Sequence, residues 1–225
     1  MKGGINLNFS VAIDGPAGAG KSTIARLVAI KFNLMYINTG AMYRAVTYKA
    51  LENKISYNDE KALIDLIETL EMHFEDDDLI VNGENFREKI SSPFISNNVS
   101  NFAAISKLRE KLVFLQKKIA EKYDVVMDGR DIGTVVLKTA PIKFYLTASP
   151  EERANRRFTE LTDKGLEVNF EEILSDIIKR DYIDSHRDTA PLTKAEDAIE
   201  IDSSTMSIEE VVEKMSKYIN SYLSS

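Results

Sequence analysis

The chain has 225 residues, no cysteine, and a formal charge of −7 from 36 acidic against 29 basic side chains. That length suits one α/β domain with an insertion and a sizeable core, and without cysteine there are no disulfides, thiolate metal sites or thiol nucleophiles. An acidic balance argues against nonspecific nucleic-acid binding, and no apolar run of about 18 residues is present to span a membrane, so the expectation is a cytoplasmic protein, monomeric by default.

In chain order, the opening stretch MKGGINLNFSVAIDG reads as a strand entering a glycine-rich loop rather than as a cleavable leader. Phe9 to Ile13 is the first predicted buried strand, and Leu34 to Ile37 the second. Leu63, Leu66, Ile67 and Leu70 then form one helical stripe. From about Met72 to Phe86, short apolar pieces flank Asp76-Asp77-Asp78 and Asn82-Gly83, which predicts a small antiparallel insert with a tight turn at Asn-Gly and a solvated acidic turn. Leu108, Leu112, Leu115 and Ile119 make a second helical stripe. Asp124 to Met127, Ile142 to Leu146 and Ala198 to Ile201 complete a set of five strands. Ser149-Pro150-Glu151-Glu152 and Ser207 with Glu210 read as capping boxes, and Asn169 with Glu172 as another helix start. Strands alternating with helices predict a parallel sheet.

The most informative stretch is Gly15-Pro16-Ala17-Gly18-Ala19-Gly20-Lys21-Ser22, followed by Thr23, which fits G-x-x-x-x-G-K-[ST] between a predicted strand and a predicted helix. Glycines let backbone N–H groups approach phosphate oxygens, the helix start adds positive potential, Lys21 reaches the β- and γ-phosphates, and the Ser22 hydroxyl can ligate Mg²⁺. Asp128, closing a strand, can hold the metal directly or through water, or can simply form a turn. No N-K-x-D tetrad is present, since Asn53-Lys54-Ile55-Ser56 lacks the acid, which argues against a GTPase. His73 and His186 are too few and too far apart for histidine catalysis and read as surface or structural residues.

Arginines are plentiful for so acidic a chain: Arg44, Arg109, Arg130, Arg153, Arg156, Arg157, Arg180 and Arg187. Guanidinium forks suit phosphoryl transfer between two anions. Arg180, Asp184 and Arg187 share a helix face, either as a phosphate-facing set or as a surface ion-pair ladder. Arg153, Arg156 and Arg157 precede a loop containing Gly165, either as a solvated face or as a lid.

Ile13-Asp14-Gly15-Pro16, Asn38-Thr39-Gly40-Ala41-Met42-Tyr43-Arg44, Asp128-Gly129-Arg130-Asp131-Ile132-Gly133-Thr134-Val135 and Arg180-Asp181 through Asp184 to Arg187 resemble the bacterial cytidylate kinases of the nucleoside monophosphate kinase superfamily. The resemblance covers nearly the whole chain and implies a three-layer α/β/α P-loop kinase fold with a five-stranded parallel sheet. It divides one domain, 1–225, into a core (about 1–38, 104–155 and 169–225), a monophosphate-binding region with a small antiparallel sheet (about 39–103) and a short lid (about 156–168). It implies ATP-dependent phosphorylation of CMP and dCMP with Mg²⁺ as cofactor. Gly15 to Thr23 would hold ATP; Thr39, Arg44 and Arg130 would grip the monophosphate, with Arg187 a further phosphate contact. Ser100, Arg109 and Asp131 would read cytosine, and Arg180 and Asp184 the sugar. Lys21, Arg130, Arg187 and Arg157 would serve the transfer itself. Asn38 departs from the aspartate expected before Thr-Gly, removing a charge while keeping hydrogen-bonding capacity. Rival readings are a UMP, dTMP, AMP or non-nucleotide kinase, and a non-catalytic nucleotide sensor.

Overall fold

The computed structural model describes residues 8–224; residues 1–7 and 225, the two ends of the expected domain and the first seven residues of the stretch expected not to be a leader, lie outside the described residues. The chain runs β1 (Ser10–Asp14), α1 (Lys21–Phe32), β2 (Met35–Asn38), α2 (Thr39–Glu52), α3 (Glu60–Glu68), β3 (Met72–Glu75), β4 (Asp78–Val81), β5 (Glu84–Asn85), α4 (Pro93–Ala103), α5 (Ser106–Ala120), β6 (Val125–Gly129), a π-helical turn (Ile132–Val136), β7 (Ile142–Thr147), α6 (Pro150–Asp163), α7 (Phe170–His186), β8 (Ile199–Asp202) and α8 (Ile208–Leu223).

Each of the five expected apolar runs is a strand, with every end within two residues of the one expected, and together they form a parallel sheet in the order β2-β6-β1-β7-β8. The shift has a physical cause. Ladder pairing continues past the last apolar residue, with Ile13 opposite Asp128, Asn38 opposite Asp128 and Asp14 opposite Gly129. Polar residues at the carboxyl edge are therefore fixed by the sheet itself, where ligands of open α/β sheets bind.

Alternation along the strands sorts the core into two layers. Val11, Ile13, Val126, Phe144 and Leu146 are buried with residues of α1 and α8, and Ala12, Val125 and Met127 with residues of α2 and α5. Each large apolar side chain so buried contributes roughly 1.5–3 kcal/mol.

β3, β4 and β5 form the expected antiparallel insert, and its Asn82-Gly83 turn takes the left-handed φ values, 50° and 78°, that a tight hairpin requires. The acidic triplet is less solvated than expected: Asp76 is exposed, but Asp77 pairs with Arg26 of α1 at 2.9 Å and Asp78 with Arg87 at 2.5 Å. The first pair joins the insert to the core.

Helix starts follow the sequence, with one correction. Ser207 and Glu210 make the full reciprocal box at 3.2 and 2.8 Å, and Asn169 caps α7 by accepting from Glu171 and Glu172. Ser149 caps α6 by accepting from Glu152 at 3.1 Å, but the Glu152 carboxylate accepts from Arg156 at 2.9 Å instead of from the cap. α6 and α7 pack side by side, with Phe158 edge-on to Phe170, and residues 156–168 are the second half of α6 and the segment leading to α7.

Candidate active site

A single cleft of about 1220 Å³ runs along the carboxyl edge of the sheet, from the loop before α1 to α4 and the end of α7. At its sheet end, β1 enters the loop through Gly15, where any Cβ would collide with the Leu146 carbonyl, while Gly18 and Gly20 take positive φ values of 76° and 86°. Side-chain-bearing residues rarely adopt such angles. Lys21 opens α1, is buried, and donates from Nζ to the Pro16 carbonyl at 2.6 Å. Burial, reinforced by Arg130, holds its pKa well below that of an ordinary lysine.

Asp128, at the end of β6, has both carboxylate oxygens engaged: Ser22 Oγ donates to Oδ2 at 3.0 Å and Tyr36 Oη to Oδ1 at 2.8 Å. Ser22 and Asp128 thus present an alcohol and a carboxylate oxygen side by side. This donor set suits Mg²⁺, which takes one or two protein oxygens and fills its shell with water and phosphate. Among the described residues no group of three or more His, Asp or Glu forms an all-protein metal cage.

The acceptor half of the cleft is built around two buried carboxylates. Asp131 accepts from Arg109 Nη2 at 2.5 Å and faces Arg187 Nη2 at 3.7 Å. Asp184 accepts from Arg130 Nε at 2.8 Å and from Ser100 Oγ at 3.3 Å, and lies 3.9 Å from Arg187 Nη1. Burial opposes charge on Asp184, but Arg130 and Arg187 outweigh it and hold the carboxyl below the usual carboxylate range. Asp184 and Arg187 are 4% and 8% exposed, which excludes a surface ion-pair ladder. Arg187 lies one residue past α7, where Nε donates to the Ala190 carbonyl, so it joins the set from the helix end rather than from the helix face.

Positive charge exceeds what these carboxylates neutralise. Burial, with Arg130 adding, lowers Arg180 to about 10, and burial likewise lowers Arg44 and, with Arg109, Arg187. Tyr43 Oη, Arg109 Nε, Arg180 Nε and Arg187 Nη2 are buried without a hydrogen-bond partner, a costly arrangement that a polar anionic ligand would relieve. Arg109 also lies over the Tyr43 ring at 5.2 Å.

All the expected site residues from Ala17 to Thr23 line the cleft, as do Thr39, Arg44, Ser100, Arg109, Asp128, Arg130, Asp131, Arg157, Arg180, Asp184 and Arg187. Gly15 and Pro16 are not among the lining residues: Gly15 packs against the Leu146 carbonyl, and the Pro16 carbonyl accepts from Lys21. Thr39 Oγ1 donates to the Asp128 carbonyl at 2.7 Å, so its proton is spent on the sheet edge. Asn38 caps α2, accepting from Ala41 at 2.9 Å. The three arginines of α6 diverge. Arg153 is buried under the phosphate loop, Arg156 binds Ser203 through its Oγ at 3.2 Å and its carbonyl at 2.6 Å, and Arg157 pairs with Glu160 at 2.7 Å. His73 and His186 are exposed, the first against Glu75 and the second stacked on Tyr182.

Sequence reasoning assigned no role to Asp14, Tyr36 or Tyr43. Tyr36 was reachable, since alternation along β2 places it on the same side as Ile13 and Val126, facing α1. On the phosphate-loop side of the cleft, where Arg156 reaches Ser203, the residues Ser203, Met206, Ile208 and Val211 add a partly apolar wall, scattered over a turn and a helix start where no periodic signal marks them.

A family model for cytidylate kinase matches residues 11–221. A cytidylate kinase of Clostridium acetobutylicum is 65% identical over 214 residues, covering 95% of this chain and 99% of that protein, and one of Clostridium perfringens is 63% identical over 215 residues, covering 96% and 99%. The solved structure of an uncharacterized protein from Eubacterium ventriosum is 16% identical and covers 95% of this chain and 99% of its own at a TM-score of 0.52, which shows a shared fold. No helix among the described residues is long and apolar enough to cross a membrane. With its phosphate loop, paired carboxylates and arginine-lined cleft spanning the matched region, the chain belongs to the cytidylate kinase family.

Proposed function

We infer that the chain, as a cytidylate kinase, transfers the γ-phosphoryl group of ATP to CMP and dCMP. The observation that carries the assignment of roles is one cleft with a phosphate loop at one side and, at the other, Arg130, Arg180 and Arg187 grouped about two buried carboxylates with Arg44 lining the same cleft. Gly15 to Thr23 hold the ATP phosphates, and Lys21 stabilises the charge spreading over the transferred group. Arg44 and Arg130 take the acceptor phosphate, with Thr39 at the start of α2 beside them; Arg187 and Arg157 contribute charge to the transfer. No general base is needed, because a phosphate oxygen is already ionised.

Ser22 and Asp128 would hold Mg²⁺, which supplies charge neutralisation to the donor phosphates. Ser100, Arg109 and Asp131 read cytosine. The exocyclic amino group suits a carboxylate or hydroxyl, and the base's acceptors suit an arginine. Uracil would set a carbonyl against Asp131, and an unpaired buried group costs about 1–3 kcal/mol, roughly ten- to hundredfold in preference. Arg180 and Asp184 contact the sugar. We further propose that it works as a monomer in the cytoplasm, a compartment in which a chain without cysteine forgoes no disulfide.

ADP formation from ATP with each of CMP, dCMP, UMP, dTMP and AMP tests this reading. Turnover highest with CMP and dCMP is expected; ATP binding without acceptor-dependent turnover would point to a sensor instead.

A further inference from the structure

Asp14 lies outside every role above, yet its carboxylate makes two short bonds across the site. It ends β1, the central strand, and is almost fully buried. Oδ1 accepts from the backbone N–H of Ile132 and Oδ2 from that of Gly133, both at 2.7 Å. Those two N–H groups open the π-helical turn, where the first donors have no partner inside the turn. The residue in the capping position, Asp131, makes no side-chain capping bond, because its carboxylate faces Arg109 and Arg187. Asp14 therefore caps from another strand.

The two ends of this contact are the two halves of the site. Asp14 is followed directly by Gly15, where the phosphate loop begins, and Ile132 is preceded directly by Arg130 and Asp131. Gly133 is matched to the contact: a Cβ there would meet Asp14 Oδ2 at 3.3 Å and Lys143 Cδ at 3.1 Å. The hydrogen bonds and the missing side chain serve the same close approach.

We propose that Asp14 is a positioning residue that fixes the phosphate loop against the Arg130–Asp131 segment, and so sets the distance between donor and acceptor phosphates. The proposal rests on the kinase reading above. Each nucleotide is bound mainly by its own segment, so loosening the tie spares binding and harms alignment. A displacement on the order of 1 Å can cost about a hundredfold in rate.

Two variants test it from opposite sides of the contact. Asp14→Asn keeps one acceptor but turns an N–H donor toward a backbone N–H; Gly133→Ala leaves Asp14 intact and wedges the contact apart. Steady-state kinetics with ATP and CMP, normalised to the folded fraction, are expected to show kcat reduced about tenfold or more in Asp14→Asn and about threefold in Gly133→Ala. KM for either nucleotide should change less than about threefold. Values of kcat within about twofold of wild type in Gly133→Ala, or a loss in Asp14→Asn carried by KM alone, would overturn the proposal. Should Asp14→Asn fail to fold, Gly133→Ala decides alone. Absence of CMP-dependent turnover in the wild-type protein would instead overturn the kinase reading, which keeps the two failures apart.

Discussion

Arg153 Nη1 donates to the carbonyl of Ala17, in the middle of the phosphate loop, at 3.0 Å. The same guanidinium donates from Nε to the Ala148 carbonyl at 2.9 Å and from Nη2 pairs with Asp181 of α7 at 2.7 Å. One fork thus supports the loop from below and ties it to both α6 and α7.

Arg153→Ala removes three contacts and leaves Asp181 without its cation. A loss of about 3 kcal/mol in stability and a several-fold rise in KM for ATP are expected, measured by denaturant melts and initial rates. Arg153→Lys should recover little, since an ammonium cannot reach in three fixed directions.

Lys21→Met should lower kcat by about a thousandfold or more while the melting temperature stays within about 3 °C of wild type. The buried ammonium is already disfavoured by desolvation and by Arg130, so its removal relieves the fold even as it disables the transfer. Retained kcat would exclude Lys21 from the reaction.

Asp184→Ala breaks a buried set that holds Arg130 and Ser100, so a cost of about 3–5 kcal/mol is expected. If Asp184 meets the sugar, kcat/KM must fall unequally for CMP and dCMP in this variant. Equal loss with the two substrates would leave Asp184 as a support for Arg130 alone.

Asp14 gives a pH prediction with a definite sign. Burial raises its pKa from 3.8 to about 6, against the Ile132 and Gly133 hydrogen bonds and Lys21, with Asp131 raising it further. Because the folded state holds the proton more tightly, this contribution to stability is complete below about pH 4 and is lost as the pH rises through about 6. Lowering the pH from 7 to 5 should therefore stabilise wild type relative to Asp14→Asn by about 1 kcal/mol, a shift of roughly 3 °C in the difference between their melting temperatures. A difference independent of pH would mean that Asp14 keeps an ordinary carboxylate pKa.

The five strands, the hairpin insert and the phosphate loop were legible because each rests on a local signal: apolar runs, Asn82-Gly83, and glycines beside Lys21. The buried charge network was legible only as a surplus of arginines. Spacing could place Arg180 and Asp184 on one side of a helix, but not bury them, and could not foresee Arg187 stepping off the helix end to meet Asp131. Nor could it separate Arg153 from Arg156 and Arg157, because what distinguishes them is the carbonyl of Ala17, more than a hundred positions away. Contacts of Asp14 and Tyr36 are likewise long-range, with Ile132 and Asp128 as partners.

The strand that leads into the phosphate loop is also the one that must wait longest for its neighbours. Val11 in β1 pairs with Val126 on one side and Ile142 on the other. At about 5–20 residues per second, a ribosome needs on the order of ten seconds to supply those partners after β1 has emerged. Throughout that interval the nascent β1 has two open edges, and its nucleotide loop has no floor. Early synthesis can form local helices and the hairpin, but ATP cannot stabilise the chain until both β6 and β7 have been made.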